Sequence, residues 1–120
     1  MGVDRIAGED DIFDISVQVV FTAGTENHEL KAAVSGYVLR VIEADLQVRT
    51  NTLGAASTIT FKRGTTAIRG IPTVDGRQVS WRPRPRGWCE TATDLEALQI
   101  NASVALTTLS GHVTVQRIPV

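Results

Sequence analysis

A single cysteine, Cys89, stands in 120 residues, which excludes an internal disulfide and any zinc site built from several thiolates. Aromatic residues make up only 5% and lysines number two, so strand is the default element and helix the exception. No apolar run approaches the ~20 residues that cross a bilayer. The start, Met1-Gly2-Val3-Asp4-Arg5, has neither the basic nor the apolar region of a signal peptide, so a soluble chain not exported by that route is expected. The net charge of −1 gives no pull toward nucleic acid or a membrane, and neither is expected as a partner. Chemistry-bearing motifs are missing too. There is no Gly-x-Ser-x-Gly, no His-x-x-x-His or His-x-His pair, and the glycines are spread singly through the turns rather than clustered around a phosphate. The two histidines, His28 and His112, each open a predicted strand. No catalytic residue, metal or cofactor is therefore expected, and the chain does not read as an enzyme.

What is present in quantity is Val, Ile and Thr, the residues that fit a pleated, half-buried surface. A chain of this length forms one domain and buries roughly two thirds of its unfolded surface. The clearest period lies after a corner at Gly87-Trp88-Cys89-Glu90, where Leu98, Ile100, Ala102, Val104 and Leu106 alternate with Gln99, Asn101 and Ser103. Other strands are expected at 14–22, 28–34, 37–49, 57–62, 66–69, 78–81 and 112–118. Residues 30 to 48 also fit helical spacing, but Ser35-Gly36 breaks it and the run beyond is rich in Val, Leu and Ile. In the strand from Tyr37, Val38, Ile42, Ala44, Leu46 and Val48 are expected to face inward. Arg40 then shares that face and must snorkel out or pair with an acid. Gly70-Ile71-Pro72 and Asp75-Gly76 read as breaks, and Thr107 to Gly111 as a loop. About eight strands with short connections predict an all-β, single-domain β-sandwich over residues 14–120, jelly-roll-like or immunoglobulin-like in its connections, preceded by an acidic arm at 1–13. Cys89, set between Trp88 and Glu90, is expected to pack as a small buried hydrophobe.

Charge is unevenly placed. Residues 1 to 48 carry nine acids and three bases, a net of −6, and residues 49 to 120 carry nine bases and four acids, a net of +5. Such poles suit packing against copies of the same chain or a repeating lattice, and equally suit two halves that neutralise each other on folding. The conspicuous polar stretch is Trp81-Arg82-Pro83-Arg84-Pro85-Arg86-Gly87-Trp88. Its alternating prolines favour an extended exposed loop, and arginines on a stiff loop make planar, bidentate contacts with acidic groups. Arg82, Arg84, Arg86 and Trp81 are therefore candidate contacts to a partner, with Trp88 read as a core plug. Asp4, Glu9, Asp10 and Asp11 of the arm form a second candidate set.

The order of turn motifs resembles a known group. Tyr37-Val38-Leu39-Arg40-Val41-Ile42, then Thr60-Phe61-Lys62-Arg63-Gly64-Thr65-Thr66-Ala67-Ile68-Arg69-Gly70, then Gly87-Trp88-Cys89-Glu90-Thr91-Ala92, Glu96-Ala97-Leu98-Gln99-Ile100-Asn101 and Gly111-His112-Val113 resemble small β-sandwich virion proteins of tailed bacteriophages. Within that group the chain looks most like head decoration or cement proteins, over about residues 28 to 118. The resemblance implies a structural protein on the outer surface of the mature capsid. It would bind the major capsid protein as a dimer or trimer and stabilise the head without an active site. The Arg-Pro-Arg-Pro-Arg loop and the acidic arm depart from that pattern. The alternative is a tail-fibre or adhesin-like carbohydrate-binding module using Trp81, Trp88 and the nearby arginines.

Overall fold

The computed structural model describes residues 12–84 and 89–120. Among them run eight strands and no helix: β1 (Ile12–Phe21), β2 (Asn27–Lys31), β3 (Tyr37–Arg49), β4 (Ala56–Arg63), β5 (Thr66–Val74), β6 (Gln78–Trp81), β7 (Leu98–Ala102) and β8 (Thr107–Pro119). They form two antiparallel four-stranded sheets, ordered β1-β8-β3-β6 and β2-β7-β4-β5. The first strand pairs the last, the second the seventh, the third the sixth and the fourth the fifth. One long hairpin, tipped at Gly64 and wrapped over itself, produces this order. It is the nested connectivity of a jelly roll, which periodicity does not distinguish from an immunoglobulin-like order.

The inner faces meet in one aliphatic core. Val17, Leu39, Val41, Leu46, Val48, Val113 and Val115 come from the first sheet, and Ile59, Phe61, Leu98 and Ile100 from the second, all essentially without exposure. Each such side chain contributes about 1.5–3 kcal/mol by leaving water. Cys89 is buried among them, and loss of solvent pushes its thiol up to about 12, against an opposing pull from Arg69 and with a further push from Glu90.

The expected inward set of β3 needs correction. Val41 pairs Val115 but Glu43 pairs the adjacent Thr114, so Ile42 is an extra residue, a β-bulge. Before it the odd residues Leu39 and Val41 face in; after it the even residues Ala44, Leu46 and Val48 do. Val38, Arg40 and Ile42 therefore do not take the fully buried places expected of one unbroken alternation.

Several boundaries also move. β1 begins at Ile12, two residues before the expected start. β5 continues through Gly70 and Pro72 to Val74, because it is an edge strand with β4 as its sole neighbour in the sheet, where a proline is tolerated. β7 stops at Ala102, and Val104 and Leu106 fall in a turn, where Leu106 takes a φ of 61° and donates its N–H to the Phe21 carbonyl. β8 accordingly starts at Thr107, inside the expected loop. Gly111 lies within this strand because β3 crosses so closely that a Cβ there would stand 2.1 Å from the Asp45 carbonyl oxygen. Asn101, expected on a wet face, is buried, and its side-chain amide donates to the Gly24 and Glu26 carbonyls at 2.8 and 2.7 Å.

Candidate interaction surface

β6 is short. It pairs with β3 only from Ala44 to Gln47, leaving the rest of that β3 edge to be closed by something else. The returning chain closes it at Leu39–Val41. Val41 donates its N–H to the Cys89 carbonyl at 2.8 Å, Thr91 donates its N–H to the Leu39 carbonyl at 2.9 Å, and Leu39 donates its own N–H to the Thr91 hydroxyl oxygen at 2.9 Å. Between these two pairings, at the bulge, the backbone of β3 is met by neither. A groove of about 550 Å³ opens there, lined by Arg40, Val41, Ile42, Glu43, Arg82, Pro83 and Arg84.

Proline and arginine divide the work on the groove wall. Pro83 is buried and anchors the segment, while Arg82 and Arg84 point to solvent. Arg82 keeps 68% of its side-chain exposure while its Nη2 lies 3.2 Å from Glu43 Oε1. An ion pair this wet stabilises by no more than about 1 kcal/mol and is readily exchanged for another acid. Arg40, turned outward by the bulge register, donates from Nε to Glu90 Oε2 at 2.8 Å, which answers how this cation is accommodated. The groove thus gathers three guanidiniums, one of which, Arg40, was not among the candidates. It was missed because an unbroken alternation assigned it to the core. Only the run of Val-Ile-Glu-Ala, apolar on both parities, hinted at a bulge.

The other candidates fall elsewhere. Trp81 is half-buried, with its ring stacked on Phe61 at 5.4 Å between centroids and 26° between planes, so one aromatic face is occupied at the core edge. Arg86, Asp4, Glu9, Asp10 and Asp11, together with Trp88, lie outside the described residues. His28 is half-buried on β2 in one sheet, and His112 is exposed on β8 in the other, its Nδ1 3.5 Å from Asp14 Oδ1. Among the described residues, no three of His, Cys, Asp and Glu come together as metal ligands would.

Beyond the groove, the second half of the β6–β7 connection is tied down. Glu96 Oε1 accepts the Ala92 and Thr93 N–H groups at 2.8 and 3.1 Å, and its Oε2 receives Arg63 Nη1 at 2.9 Å. Burial pushes the Glu96 carboxyl up, but the two amides and Arg63 outweigh it and hold the group below its ordinary value. Asp94 Oδ2 accepts the Gly36 N–H at 2.8 Å.

No known protein family matches the chain, and no curated protein does. A solved structure from Bacillus endospore appendages, described as a novel family of disulfide-linked pili, is similar at 17% identity. That similarity covers 98% of this chain and 96% of that one, with a TM-score of 0.45.

Proposed function

We propose that this chain is a structural subunit of a tailed-phage head, a cement or decoration protein that binds the outer surface of the mature capsid through the arginine-lined groove. The observation that carries the reading is the groove itself: Arg82 and Arg84 stand exposed on a proline-anchored wall, a shape and charge that fit an acidic loop of a partner protein. The resemblance of the turn motifs to phage virion proteins supplies the identity of the partner, the major capsid protein. A jelly-roll sandwich stapled by a continuous core suits a part that resists load rather than one that moves. Copies on a lattice gain from avidity, so each contact can be weak. The carbohydrate-binding alternative draws less support, because of its two tryptophans only Trp81 lies among the described residues, and that ring is half-buried with one face against Phe61.

The test is co-sedimentation of the purified chain with undecorated mature heads of the phage that encodes it, at low and high salt, counting bound copies per capsid. Saturable binding at a simple ratio to the coat protein, weakened by salt, is the expected result. No binding at either salt removes the capsid reading.

A further inference from the structure

A sandwich of two open sheets has four edge strands, among the described residues β1, β6, β2 and β5. Free edges invite pairing with other chains, and proteins usually block them. Three of these four are blocked. β6 has four residues and is followed by Pro83. β2 has five, with an irregular register between Glu29 and Lys31. β5 contains Pro72 and a register shift opposite Phe61 and Lys62. β1 is different: ten residues, Ile-Phe-Asp-Ile-Ser-Val-Gln-Val-Val-Phe, in unbroken register with β8 and without a proline, glycine or basic residue.

Its outward face is also self-complementary. The even residues, Ile12, Asp14, Ser16, Gln18 and Val20, face solvent, and Ile12 and Val20 are large apolar groups exposed by 39% and 51%. We propose that β1 pairs antiparallel with β1 of a second copy about a two-fold axis through Ser16, joining two first sheets into one of eight strands. In that register Ile12 lies opposite Val20 of the second copy, Asp14 opposite Gln18, and Ser16 opposite Ser16. On the inner face the half-buried Phe13 meets Val19, and Ile15 meets Val17. Both exposed apolar residues gain an apolar partner and the carboxylate gains an amide donor, the kind of direct cross-strand pair that stabilises sheets. Moving the axis to residue 15 sets Ile12 against Gln18. Moving it to residue 17 sets Asp14 against Val20, and an axis at residue 14 opposes the two Asp14 carboxylates. Odd shifts exchange the faces. The match is isologous, so it closes at two copies. It rests on β1 alone and not on the capsid reading, since the dimer forms with no heads present.

Sedimentation velocity of the full chain over a concentration series is the first measurement, followed by Ser16→Lys. The wild type is expected to pass from monomer to dimer. Ser16→Lys, which opposes two ammonium groups on the axis, is expected to raise the half-dimerisation concentration about tenfold or more while leaving in place the melting temperature read at dilutions where both chains are monomeric. Disulfide trapping reads the register, because directly opposed antiparallel residues have Cα atoms about 4.5–5.5 Å apart, within disulfide reach. The sole natural thiol, Cys89, is buried. Ser16→Cys links to itself, whereas Asp14→Cys and Gln18→Cys link only when mixed. A chain that stays monomeric or forms trimers, a dimer indifferent to Ser16→Lys, or an Asp14→Cys chain that links to itself as readily as Ser16→Cys overturns the proposal.

Discussion

The connection between β6 and β7 has two halves of opposite character. Arg82 to Arg84 holds to the body through one buried proline and one wet ion pair, and its guanidiniums face water. Cys89 to Glu96 is stitched to both sheets, by backbone bonds to Leu39 and Val41, by the Thr91 hydroxyl, and by Glu96 reaching Arg63 at the end of β4. The difference follows from what each half must satisfy. The second half passes over an otherwise unpaired edge of β3, where a buried N–H without an acceptor is costly. The first half runs beside a bulge that has no regular ladder to complete, and its two described arginines stay in water.

The largest effect that sharpens this contrast is expected at Thr91, which is 1% exposed. Thr91→Val keeps the shape but leaves the Leu39 N–H buried without its acceptor, a cost of about 1–3 kcal/mol. The urea midpoint is expected to fall with an unchanged slope. Next comes Glu96→Gln, which exchanges a charge-assisted clamp for a neutral one and costs about 1 kcal/mol, discounted for partial exposure. Its signature is in the pH dependence. The folded carboxyl sits below its ordinary 4.5, so its contribution is complete above that value and is lost as pH falls through the lower folded value. Wild type is therefore expected to lose more stability than Glu96→Gln on acidification below about pH 4.5, measured by urea titrations at several pH values. A chain whose two curves stay parallel would mean the clamp is not a clamp.

A third consequence concerns Cys89 and costs nothing at neutral pH. Its folded thiol is raised from 9.0 to about 12, so thiol reagents at pH 8 are expected to find it inert until the chain unfolds. Between about pH 9 and 12 the unfolded thiol ionises while the folded one does not, so the native state loses stability across that window. Fast labelling of the native chain would mean that this half of the connection opens.

Much of this architecture was legible in composition and period. β-branched runs spaced by single glycines carried the all-β reading, and the span of β3 from Tyr37 to Arg49 needed only the break at Ser35-Gly36. What stayed hidden depended on contacts between distant segments. The bulge at Ile42, no more than hinted at by the run Val-Ile-Glu-Ala, is fixed by the register against β8, so Arg40 and with it the groove were assigned to the wrong face. Gly111 looked like punctuation, yet it answers the close passage of β3. Pro72 looked like a terminator, yet nothing in its own neighbourhood says that β5 lies at an edge. Arg82 and Arg84 were read correctly as exposed because their signal, arginine alternating with proline, is local.

The smallest stability effect and the sharpest functional one are expected from the same substitution. Replacing Arg82, Arg84 and Arg86 together by Ser removes no buried partner among the described residues, since Arg82 contacts only the wet Glu43, and surface changes of this kind stay within about 0.5 kcal/mol. Head binding is expected to fall, and the fall to shrink as salt is raised, because screening removes from the wild type what the substitution removed from the variant. The two readouts divide the possibilities cleanly. Lost binding with an unchanged melting temperature assigns the first half of the connection to a partner. A melting temperature lowered as far as in Thr91→Val would make both halves structural, and the groove would then be a seam in the sandwich rather than a surface.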